Sequence, residues 1–90
     1  MESKIETAKR IIKDNFKEAK CGIFNSRNIA GDPMNTIYDD GNLQIDICYY
    51  WEYFEVFGLS DEEFKELERF YEYDLTEHKN GNLEPPKEDA

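Results

Sequence analysis

Residues 43–57, LQIDICYYWEYFEVF, alternate between apolar and polar side chains, and the residues just before them, Asp39-Asp40-Gly41-Asn42, form the strongest hairpin signal in the chain. Successive side chains of a strand point to opposite faces. Leu43, Ile45, Ile47 and Tyr49 therefore share one face, and Gln44, Asp46, Cys48 and Tyr50 the other. Tyr50 and Trp51 fall in or beside the next turn. A further strand over 52–57 then puts Phe54 and Val56 on one face and Tyr53, Glu55 and Phe57 on the other, and Gly58 stops it. Period-two patterning on both sides of tight turns commits the middle of the chain to antiparallel strands with one apolar face.

The flanks carry a different period. Ser3-Lys4-Ile5-Glu6 reads as a capping box, and Ile5, Ala8, Ile12, Phe16 and Ala19 follow at three- and four-residue spacing, predicting an amphipathic helix of about sixteen residues. Lys9, Lys13 and Lys17 run along one edge of that stripe as a solvated flank, facing the acids of a second helix if one lies alongside. Ser60-Asp61-Glu62-Glu63 is a second capping box, with Phe64, Leu67, Tyr71 and Leu75 as the stripe of the helix it opens. Glu62, Glu66, Arg69 and Tyr73 are expected to face water. A short strand is expected over 21–25 and another over 35–39, separated by a segment rich in turn formers, Gly31-Asp32-Pro33 being its clearest break.

The expected order is thus α-β-β-β-β-α. It predicts an α+β fold, a two-layer sandwich with an antiparallel sheet and both helices on one face. A single domain is expected over 1–76, with a disordered, proline-containing acidic tail over 77–90. The same layout leaves the second sheet face open, displaying Phe24, Tyr38, Asp46, Cys48, Tyr50, Tyr53, Glu55 and Phe57.

Charge narrows the partners. Residues 1–20 hold six Lys/Arg against four Asp/Glu, whereas residues 21–90 hold five against seventeen, giving −10 overall. Phosphate binding draws on Lys and Arg releasing counterions, so this balance argues against nucleic acid as a direct partner and equally against an anionic membrane surface. There is no apolar run of membrane-spanning length and no secretory-type N-terminus, which points to the cytoplasm and to two reduced thiols, Cys21 and Cys48. A basic protein surface is the favoured partner.

No reaction centre stands out. His78 is the only histidine, has no second ligand at metal spacing, and lies in the expected tail. Asp39, Asp40 and Asp46 lack the alternating acids and closing Glu of a calcium loop. The five glycines are isolated, so no phosphate-binding loop is present. The expectation is a protein that is not an enzyme and takes no cofactor or metal. Tyrosines interleaved with carboxylates suit a partner's arginines through ring contact and bidentate pairing, although cross-strand aromatic pairs also stabilise a thin sheet without any partner. The candidate partner-binding residues are Tyr38, Asp39, Asp40, Asp46, Tyr50, Trp51, Tyr53, Glu55, Glu62 and Glu66.

In size, acidity and helix-plus-sheet layout, the whole chain resembles the small anti-CRISPR proteins and related counter-defence inhibitors of bacteriophages and mobile elements, several of which mimic nucleic acid. The resemblance carries no motif and no residue across. It implies an inhibitor that blocks the basic nucleic-acid-binding surface of a bacterial defence effector. Two other readings stand beside it: a sensor or sequestering protein that grips a nucleotide-like or cationic small molecule, and a homodimeric assembly module whose sheet faces pack together.

Overall fold

Ser3 opens the first helix, its Oγ accepting a hydrogen bond from the Glu6 amide at 3.2 Å. In the computed structural model, which describes residues 2–28 and 30–75, this helix, α1, spans Lys4–Asp14. It is shorter than its apolar stripe predicts. The Asn15 side-chain amide donates to the Ile11 carbonyl, and the chain tightens into a 3₁₀ turn at Phe16–Glu18. The stripe nevertheless continues through the change of pitch, for Ala8, Ile12, Phe16 and Ala19 are all buried.

Four strands follow: β1 (Gly22–Phe24), β2 (Asn35–Asp39), β3 (Gln44–Cys48) and β4 (Tyr53–Phe57). Helix α2 spans Asp61–Arg69, with the reciprocal Ser60–Glu63 capping box in place, and runs on into a π-helical segment, Phe70–Leu75. Replacing Ser60 with Ala removes the cap and should cost about 1 kcal/mol, read as a lower urea midpoint at unchanged slope. The stripe Phe64, Leu67, Tyr71 and Leu75 is buried as expected. The tail expected over 77–90 lies outside the described residues.

The fold is α+β, but its sheet is mixed rather than antiparallel. The strand order is β1-β4-β3-β2; β2–β3 and β3–β4 pair antiparallel, whereas β1 runs parallel to β4 with Ile23 opposite Phe54. Pairing of consecutive strands follows from tight turns, and the connection from β1 to β2 is ten residues long. It crosses from one edge of the sheet to the other, roughly 14 Å at three interstrand spacings. Tyr71 fixes the start of β1. Its hydroxyl accepts from the Gly22 amide at 3.0 Å and donates to the Ala19 carbonyl at 2.7 Å, and burial pushes the phenol up to about 12.

Both helices pack on one sheet face, where Ile23, Ile45, Ile47, Phe54 and Val56 join their stripes in a single core. Tyr38 departs from its expected side. The β2–β3 register slips between Thr36 and Tyr38, so Thr36 pairs with Asp46 but Tyr38 pairs with Ile45. A one-residue bulge reverses the facing of the strand residues beyond it. Tyr38 therefore packs against the core margin on the helix side.

Candidate functional site

The acids and aromatics that the sequence interleaves are distributed over three places by the fold. The first is the end of the sheet where β2 turns into β3 and β4 leads into α2. Asp39 Oδ1 accepts from the Gly41 amide, and Asp40 Oδ1 accepts from the amides of Asn42 and Leu43, each at 2.9–3.0 Å. Those amides, with the Tyr38 hydroxyl at 2.9 Å from Oδ2, hold the Asp40 carboxyl below its ordinary value, so it stays ionised. Gly58 lies directly against this turn: a Cβ built on it would sit 2.1 Å from the Asn42 carbonyl oxygen. The contact brings the Asp39-Asp40 turn to the same end as Asp61, Glu62 and Glu63 in the first turn of α2. Asp39, Asp40, Asp61 and Glu62 are exposed, and Asp39 lines a shallow depression of about 220 Å³ together with Asn42, Gln44 and Phe57. Glu66 lies one turn further along α2 and is paired with Lys9 at 2.7 Å, which holds its carboxyl below the usual range.

The second place is the face expected to be open. It is covered. The 25–34 connection crosses it, with the Tyr53 hydroxyl donating to Asp32 Oδ2 at 2.9 Å and the Arg27 guanidinium 4.4 Å from the centre of the Phe57 ring. On this face Cys48 is fully buried, and Asp46 and Glu55 are 7% and 4% exposed. Asp46 and Glu55 are direct cross-strand partners. Asp46 accepts from Thr36 Oγ1 at 2.8 Å and Gln44 Nε2 at 3.0 Å, whereas Glu55 has no hydrogen bond or ion pair among the described residues. Burial, then repulsion from Asp46, raises the Glu55 carboxyl above its ordinary value, with Arg27 opposing. Burial and Asp32 push the Tyr53 phenol up to about 12. Tyr53 is half-buried, with Phe24 edge-on at 5.4 Å between centroids.

The third place is the opposite end of the sheet. Tyr49, Tyr50 and Trp51 are exposed at 48%, 73% and 55%, and Tyr50 meets Trp51 edge to face at 4.8 Å. Glu52 closes this turn in a left-handed conformation, φ 61°, its amide donating to the Cys48 carbonyl at 2.7 Å. The Trp51 amide donates to Cys48 Sγ at 3.4 Å. Cys21 is exposed nearby, but β4 lies between the two cysteines. Two interstrand spacings put their Cα atoms roughly 9–10 Å apart, too far for a disulfide.

No known protein family, curated protein or solved structure matches this chain. Its function must be read from the geometry alone. Among the described residues, no helix is long and apolar enough to cross a membrane, and no group of three or more His, Cys, Asp or Glu is placed to hold a metal ion. Of the predicted contact residues, Tyr38, Asp39, Asp40 and Glu62 share the acidic end, with Glu66 behind them on α2. Tyr50 and Trp51 stand some 16 Å away at about five residues of strand rise. Asp46, Tyr53 and Glu55 lie on the face that the connection crosses, Asp46 and Glu55 buried and Tyr53 half-buried. Sequence reasoning gave Gly58 only as the stop of the last strand and gave Arg27 no role. The one available signal for Gly58 was a glycine ending a strand just before a capping box.

Proposed function

We propose that the protein is a binding module without catalytic activity, and that its acidic end docks on a basic protein surface. The observation that supports this most directly is the close approach of Gly58 to Asn42, which gathers two separately encoded acidic turns at one end of a rigid sheet. Backbone donors fix Asp39 and Asp40, and the capping box fixes the first turn of α2, so the carboxylates are positioned before any partner arrives. With the chain's charge of −10, such an end steers a cationic partner into place.

The most specific form of this reading is inhibition by nucleic-acid mimicry in a bacterial cytoplasm. Exposed carboxylates continue along α2 at Glu62 and beyond it at Glu72, and a row of them can occupy a channel built for phosphates. The test is capture of a bacterial protein at low and high salt, with competition by nucleic acid. A partner released by salt and by nucleic acid is expected. Glu62→Lys should weaken capture about three- to tenfold, since Glu62 makes no hydrogen bond among the described residues whose loss would disturb the fold. A chain that captures no salt-sensitive partner does not work this way.

The aromatic end favours one second reading, self-association through Tyr50 and Trp51. Sedimentation velocity over a hundredfold concentration range decides it: a single species of 10.7 kDa throughout removes the dimer.

A further inference from the structure

We propose that the covered sheet face is a receptor for an arginine side chain of the partner, and that Arg27 occupies it in the free protein. The Phe57 ring already carries a guanidinium, that of Arg27 at 4.4 Å from its centre. Two residues earlier on the same face of β4 stands Glu55, 4% exposed and without a hydrogen bond or ion pair among the described residues. Arg27 acts on Glu55 only through space. The ring is served and the carboxylate is not.

The surroundings make this a deficit of positive charge. Asp46 faces Glu55 from β3, and Asp32 and Arg27 face it from the crossing connection. The neighbouring Tyr53 is engaged with Asp32. Three carboxylates thus share one guanidinium. A planar guanidinium can lay its face on an aromatic ring while its edge donates to a carboxylate; an ammonium cannot do both. Arg27 is exposed, so an incoming arginine can take its place on Phe57 and donate to Glu55, gaining a charge-assisted bond that Arg27 does not make.

This inference rests on the reading of a basic partner and names the side chain that partner supplies. It is tested without the partner. N-acetyl-arginine methylamide and its lysine analogue are titrated into isotope-labelled full chain, following the Phe57 ring and the Glu55 amide by NMR. The arginine probe should shift both signals, bind at least threefold more tightly to Arg27→Ala than to wild type, and leave both signals unmoved in Glu55→Gln. The lysine analogue should bind at least threefold more weakly. If Arg27→Ala does not fold, Arg27→Gln keeps the stem and serves the same comparison. Equal affinity in wild type and the Arg27 variant, or unchanged binding in Glu55→Gln, overturns the proposal. Glu62→Lys should leave this titration unchanged, so a failure of the acidic-end reading registers in the capture experiment and not here.

Discussion

Gly58→Ala should cost about 3 kcal/mol or more, a large share of what a 90-residue chain has to lose. Two effects add. Gly58 adopts φ 107°, a conformation that costs a non-glycine residue roughly 1–3 kcal/mol. The new Cβ would also sit 2.1 Å from the Asn42 carbonyl oxygen and 3.2 Å from Leu43 Cα, which are backbone atoms and cannot swing aside. Relief requires the β2–β3 turn to move away from the start of α2, so the variant should also lose salt-sensitive partner capture under conditions where it still folds. Gly41→Ala is the control. Gly41 has φ 90° with nothing within 4 Å of a built Cβ, so it carries strain without collision and should cost only about 1 kcal/mol. Urea unfolding of the two variants separates the effects. Equal midpoints would mean that the Gly58–Asn42 contact does not hold the acidic end together.

Sequence and structure agree where the signal is periodic and local. The alternation in Ile45, Ile47, Phe54 and Val56 fixes which side of the sheet is core, and both serine caps and both helical stripes stand where spacing puts them. The α+β class follows from those elements alone. The partner of β1 was not legible, because three residues with one buried side chain, Ile23, carry no preference for one sheet edge over the other. Nor was the bulge that turns Tyr38 to the helix side, since Thr36, Ile37 and Tyr38 read equally well as regular strand. The consequence for the site was larger. A turn-rich segment with no period looks like a solvent loop, yet residues 25–34 bridge opposite edges of the sheet and must cross one of its faces. Asp46 and Glu55 are buried on that face, which leaves Asp39, Asp40 and Glu62 at one end of the sheet and Tyr50 and Trp51 at the other. The direct opposition of Asp46 and Glu55 was within reach of the sequence once the β3–β4 turn is placed at residues 49–52, because antiparallel register then follows by counting.

Glu55→Gln should stabilise the protein by about 2 kcal/mol at neutral pH, an unusual sign for a change at a buried polar residue. The native carboxylate is buried opposite a second carboxylate and accepts no hydrogen bond among the described residues, so its charge is penalised by desolvation and by repulsion together. A carboxamide removes the charge and can donate to the Asp46 oxygen that Thr36 and Gln44 leave free. The pH dependence fixes the interpretation. Because the Glu55 carboxyl is raised in the folded protein, the fold binds a proton more readily than the unfolded chain between the two values. Wild-type stability through this group therefore falls as pH rises across that window and recovers as pH drops. The advantage of the Gln variant should be complete above the folded value, shrink as pH falls through it, and vanish below the ordinary carboxyl value of 4.5. Glu2, Asp40 and Glu66, whose carboxyls are lowered by their partners, titrate in the opposite sense, but they are common to both proteins and cancel in the difference. Thermal and urea unfolding of the pair from pH 4 to 8 measures that difference directly. A constant gap across the range would mean that packing, and not the charge of Glu55, separates them, and an arginine receptor would then lose the uncompensated carboxylate on which it depends.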